Sequence, residues 1–83
     1  MPGGGQANAP THRLDVRGFR CPIPVGETRQ ALGGLERGHV LEVRFDDPEA
    51  LEDLPPMLAR HGHKMLSIEE IAGDWRMCIE VMM

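Results

Sequence analysis

The chain has 83 residues, a net charge of −4 and 41% apolar residues, which suit one small domain with a single modest core. Only Phe19, Phe45 and Trp75 are aromatic, too few for a base-stacking platform, and the acidic balance opposes a grip on phosphates or anionic lipid, so neither direct nucleic-acid binding nor membrane binding is expected. Two cysteines, Cys21 and Cys78, fit neither a disulfide scaffold nor a close-spaced metal pair, and both are expected as thiols in a reducing compartment.

The opening "MPGGGQANAPT" has no apolar run and no positive leader. Residues 1–11 are therefore expected as a flexible N-terminal tail ahead of a single domain over 12–83, in a cytoplasmic protein. In "HRLDVRG", Leu14 and Val16 alternate with Arg13, Asp15 and Arg17, the period of a half-buried strand, and Gly18 ends it. After "FRCPIP", the apolar spacing of Val25, Thr28, Leu32 and Leu35 predicts a helix from about Pro22 to Leu32, with Gly33 and Gly34 at its end.

"HVLEVRFDD" alternates again, with Leu41, Val43 and Phe45 on one face. A strand reached through a helical crossover is expected to lie parallel to the first. Asp47-Pro48 reads as a capped turn. Because Pro55 and Pro56 are tolerable only in a first turn, the main second helix is expected to start near Leu54 behind an Asp53 cap and to end at Gly62. Two strand-like runs then surround "AGDW", with Gly73 and Asp74 as turn residues. In the last run, Met77, Ile79, Val81 and Met83 share the inward face, and Arg76, Cys78, Glu80 and Met82 the other. The order βαβαββ predicts a two-layer α/β sandwich: a mixed four-stranded sheet with two helices on one face.

Cys21 stands between the first strand and a helix that opens on Pro22 and Pro24. Unpaired amides and the helix dipole favour an anion there, and Arg17 and Arg20 lie close in sequence, so the residues predict a thiolate of lowered pKa. The prolines are expected to stiffen the exit from Cys21 and to leave the amides of Ile23 and Val25 free to face the sulfur. The plain alternative is a buried cysteine that fills a gap between strand and helix.

"LDVRGFRCPIPV" resembles the Cys-Pro-x-Pro signature of the TusA/SirA-like sulfur-carrier family, and "DDPEALEDLP" and "HGH" are similar to its second characteristic region. The resemblance spans about residues 12–83. It implies a two-layer α/β sandwich whose cysteine, matched by Cys21, takes a sulfane sulfur as a transient persulfide from a cysteine desulfurase or another persulfide donor and relays it to an acceptor protein. Pro22 and Pro24 match the motif prolines. It further implies a sulfurtransferase-type relay rather than a classical enzyme, with no cofactor beyond that persulfide. Thiolated tRNA, molybdenum-cofactor enzymes and sulfur metabolism are the compatible destinations. Many members of the tRNA-thiolation branch carry glutamate between the prolines, where this chain has Ile23, and Gly26 replaces a larger apolar residue.

Two other readings belong to different classes. In one, the turn is a docking edge of a non-catalytic regulatory or interaction module. In the other, the protein is a thiol oxidoreductase with Cys78 as resolving thiol, against which the lack of a C-x-x-C motif counts. His61 and His63 read as part of a helix C-terminal cap rather than a metal site, Asp46 and Asp47 as turn and cap, and the methionines as core filling. No metal is expected.

Overall fold

The computed structural model describes residues 9–82. It contains β1 (His12–Asp15), α1 (Ile23–Gly33), β2 (Val40–Phe45), α2 (Pro48–Arg60), β3 (Lys64–Ile71) and β4 (Asp74–Glu80). This is the expected βαβαββ order, with the two helices packed on one face of a mixed sheet. Most of the anticipated tail, residues 1–8, and Met83 lie outside the described residues. Thr11 already belongs to the sheet margin: its amide donates to the Val40 carbonyl at 2.9 Å, and its hydroxyl accepts from the Val40 amide at 2.9 Å.

The strands lie in the order β1-β2-β4-β3. β1 pairs parallel to β2, with Leu14 beside Val43, while β4 runs antiparallel to both β2 and β3. The parallel pair follows from the crossover through α1, which returns the chain to the same end of the sheet. Leu41, Val43 and Phe45 face the helices beside Ile79, Met77 and Trp75 of β4. With Leu32 of α1 and Ala50, Leu54, Met57 and Leu58 of α2 they form one core. Thr28 is also fully buried, and its hydroxyl donates to the Pro24 carbonyl at 2.7 Å, so its burial leaves no orphan group.

Two expected boundaries move. α2 starts at Pro48 rather than near Leu54 and takes Pro55 and Pro56 into its interior. Each proline deprives the carbonyl four residues earlier, on Leu51 and Glu52, of its usual donor. That loss is outweighed by the cap on Asp47, whose side chain accepts from the Glu49 amide, and by the buried stripe of Ala50, Leu54, Met57 and Leu58. The β3–β4 turn is formed by Ala72 and Gly73, both with positive φ, at 51° and 94°, and Asp74 already pairs with Ile71. Two successive left-handed residues match the twist of the strands they join.

The C-terminus of α2 follows the expected reading of "HGH". Gly62 has a φ of 76°, its amide donates to Ala59, and the His63 amide donates to Leu58 at 2.9 Å. That pattern closes the last turn and satisfies two carbonyls that the helix leaves free. No helix among the described residues is long and apolar enough to cross a membrane.

Candidate functional site

Because β1 and β2 are parallel, their C-terminal ends emerge side by side. The loop that carries Cys21 therefore meets the Asp46-Asp47 pair that leads into α2. Asp46 accepts from the Gly18 amide at 2.9 Å and from the Arg20 guanidinium at 3.3 Å. Asp47, only 4% exposed, accepts from the Cys21 amide at 2.7 Å through one oxygen while the other caps α2. Two adjacent carboxylates thus fasten both sides of the loop, and a buried acceptor with two backbone donors fixes it more firmly than a solvated one would. In open α/β sheets, ligand sites form beyond the carboxyl ends of parallel strands for the same reason.

Cys21 itself is exposed. The Cys21–Pro22 peptide bond is cis, Pro22 is the N-cap residue of α1, and Pro24 sits in its first turn. The surroundings of the sulfur differ from the electropositive setting expected of it. The Ile23 amide, expected free, donates to the Arg20 carbonyl at 3.0 Å. The Cys21 Sγ lies 3.9 Å from Asp53 Oδ2. Partial desolvation raises the thiol pKa above its ordinary value, and the charges of Glu49, Asp53 and Asp47 add to the rise. The thiolate of lowered pKa is therefore corrected: three carboxylates near in space, rather than the two arginines near in sequence, act on the sulfur, and they push the thiol pKa up.

Arg17 and Arg20 are engaged elsewhere. Arg17 forms a bidentate pair with Asp15, at 2.9 and 2.7 Å, and lies 3.6 Å from Asp74. Arg20 reaches Asp46. Two apolar side chains also flank Cys21 at the surface: Phe19 is 50% exposed and Ile23 45%.

Inward from Cys21, a cleft of about 380 Å³ opens between α1 and α2. Val25, Gly26, Pro56 and Met57 supply its apolar walls, and Asp53, Arg29 and Arg60 its charges. The sequence pattern puts Arg29 on the outward side of the first helix and gives Arg60 no role; only the packing of α1 against α2 puts them in one cleft with the cysteine.

Cys78 lies on the sheet face opposite the helices, between Glu42 of β2 and Ser67 of β3, and is half-buried. Among the described residues no three His, Cys, Asp or Glu side chains come together in a way that would hold a metal.

Comparison with known proteins agrees with this geometry. The family model described as sulfurtransferase TusA matches residues 12–81. A protein of Thermotoga maritima named as a candidate sulfur carrier is 42% identical over 72 residues, which are 86% of this chain and 91% of that protein. YedF of Escherichia coli, also named as a candidate sulfur carrier, is 36% identical over 71 residues, 86% of this chain and 92% of the other. The solved structure of a SirA-like protein from Desulfitobacterium hafniense superposes with a TM-score of 0.76 at 26% identity, covering 88% of this chain and all of that one.

Proposed function

The chain belongs to the TusA family, the TusA/SirA-like sulfur carriers, and from that premise we propose that Cys21 accepts a sulfane sulfur as a persulfide and relays it to an acceptor protein. The observation that supports this most directly is the exposure of Cys21 on a loop fastened by Asp46 and Asp47 at the mouth of a cleft. An exposed sulfur on a fixed backbone can be approached by two proteins in turn without a substrate pocket that encloses it.

The transfer is a sulfur exchange. The deprotonated Cys21 sulfur attacks the terminal sulfur of the donor persulfide, an S–S bond forms on Cys21 as the donor's S–S bond breaks, and the donor leaves as a thiolate that takes up a proton. The sulfane sulfur changes carrier with no net oxidation. A cysteine desulfurase or another persulfide-bearing protein in the cytoplasm is the proposed donor, and turnover belongs to the partners. Phe19 and Ile23 supply the apolar contact beside the sulfur. Basic groups on a partner, set against Glu49 and Asp53, would offset the carboxylates that hold the thiol protonated, so that the nucleophile forms on docking. Ile23 cannot make the polar contact of a glutamate, which counts against tRNA thiolation as the destination.

Incubation with a cysteine desulfurase and cysteine, followed by intact mass measurement, is expected to show the gain of one sulfur, lost again under reductant and absent from Cys21→Ser. A wild-type protein that gains no sulfur from any protein persulfide overturns the proposal. If Cys21→Ser still supports sulfur transfer in cells, the turn acts as a docking edge instead.

A further inference from the structure

The cleft between α1 and α2 combines features that sulfur exchange between two proteins does not require. A thiol stands at its mouth, Asp53 lies 3.9 Å from that thiol, and Arg29 and Arg60 line the same space. Neither Arg29 nor Arg60 takes part in an ion pair among the described residues. At about 380 Å³ the cleft lies within the range of small-molecule sites, and its apolar walls from Val25, Pro56 and Met57 suit a short carbon chain.

We propose that this cleft binds a free amino-acid persulfide, with its carboxylate on Arg29 and Arg60, its ammonium toward Asp53 and its terminal sulfur at Cys21. This rests on the reading of Cys21 as the persulfide-bearing residue and adds a small-molecule donor to the protein one. Charge selects the class of ligand. Glu49, Asp47 and Asp53 make the neighbourhood of the thiol unfavourable to a compact sulfur dianion such as thiosulfate. With its terminal sulfur protonated, the form that a thiolate can attack, an amino-acid persulfide is a zwitterion, and it places its positive group beside Asp53 and its negative group at the two guanidiniums, where paired charge-assisted hydrogen bonds are strongest.

The step balances as a sulfur exchange. The Cys21 sulfur, having lost its proton, bonds to the terminal sulfur of the persulfide, the ligand's own S–S bond breaks, and the free amino-acid thiolate departs and is protonated.

The full chain is treated with L-cysteine persulfide as sole donor, and loading is followed by intact mass as the donor concentration is raised. A rate that saturates is expected for wild type. Arg29→Gln and Arg60→Gln are expected to lose saturation and to load at least about tenfold more slowly at low donor concentration, as befits the loss of a charge-assisted contact. Both side chains are exposed, so folding is retained, as circular dichroism checks. Loading from the persulfide of mercaptoethanol, which lacks both the ammonium and the carboxylate, and alkylation by iodoacetamide are expected to be unchanged in both variants. A linear, unsaturable wild-type rate overturns the proposal, as does an equal loss with the mercaptoethanol persulfide. If a desulfurase loads Cys21 while the free persulfide shows no saturation, the small-molecule site alone fails. If no persulfide loads Cys21, the sulfur-carrier reading fails with it.

Discussion

On the open face of the sheet, Arg13, Arg17, Arg44 and Arg76 all lie against carboxylates: Arg44 on Asp74 at 2.7 Å, Arg76 on Glu69 at 2.8 Å, Arg13 on Glu42 at 3.6 Å. On the helix side, Arg29 and Arg60 line a cleft with no ion pair among the described residues. The two cysteines divide in the same way. Cys78 is half-buried in the middle of β4 among cross-strand partners, whereas Cys21 is exposed on a loop that no strand covers. A face whose arginines are already paired has little left to offer an anionic group. The other keeps an exposed thiol, two cations outside any ion pair among the described residues, and apolar edges.

The strongest way to break this contrast is to exchange the roles of the cysteines. Cys78→Ser is expected to keep full sulfur loading by intact mass, since the proposed exchange uses the Cys21 sulfur alone. A large loss would make Cys78 a resolving thiol and erase the distinction between the faces.

The fastening of the Cys21 loop comes next in size. Asp47→Ala removes the cap of α2 and leaves the Cys21 amide without its acceptor. Urea denaturation should show a loss of about 1–3 kcal/mol. Asp47→Asn, which keeps one acceptor oxygen, is expected to recover part of it.

A third test concerns the charge around the thiol. Because carboxylates and desolvation raise the Cys21 pKa, alkylation of Cys78→Ser by iodoacetamide should reach half its maximal rate at a higher pH than for free cysteine. Asp53→Asn removes one of those charges, and the profile should move back toward lower pH. An Asp53→Asn profile that stays in place would mean that Asp53 does not act on the sulfur.

Gly26 offers a smaller effect. It lies inside α1, and a Cβ added there meets nothing within 4 Å. Gly26→Ala is expected to raise stability by about 0.5–1 kcal/mol in the same urea titration, by limiting the unfolded chain.

The smallest effect belongs to the open face. Arg17, by hydrogen bonding to its side chain and backbone, lowers the Asp15 pKa from 3.8 to about 2. The folded-state pKa is depressed, so the pair stabilises fully above the ordinary carboxylate range, and the contribution is lost as the pH falls through about 2. Both side chains are largely exposed, so solvent screens the pair and the gain is slight. Asp15→Asn should flatten that part of the acid-unfolding curve, measured by circular dichroism, and change little at neutral pH.

Much of the fold is legible in local pattern. Alternation in "RLDV" and "VLEVRF", helical spacing from Val25 to Leu32, and glycine at the ends of elements report which residues meet a core. What local pattern misjudged was α2, where two consecutive prolines argued for a late start. The buried stripe that begins at Ala50 is a tertiary gain, and it carried the helix across them. Cys21 was legible as the residue of interest from its prolines, but the sign of its electrostatics was not. Arg17 and Arg20 are its neighbours in the chain, while Glu49, Asp53 and Asp47 are its neighbours in space.

The sequence by itself determined the order of elements and singled out Cys21 as the candidate sulfur-bearing residue, because periodicity and a cysteine followed by two closely spaced prolines are properties of adjacent positions. Tertiary structure alone decided which charges reach that sulfur, because Coulomb interactions follow distance through space. The parallel pairing of β1 with β2 brings Asp46 and Asp47 to the loop, and the packing of α1 against α2 brings Asp53, Arg29 and Arg60 around one cleft.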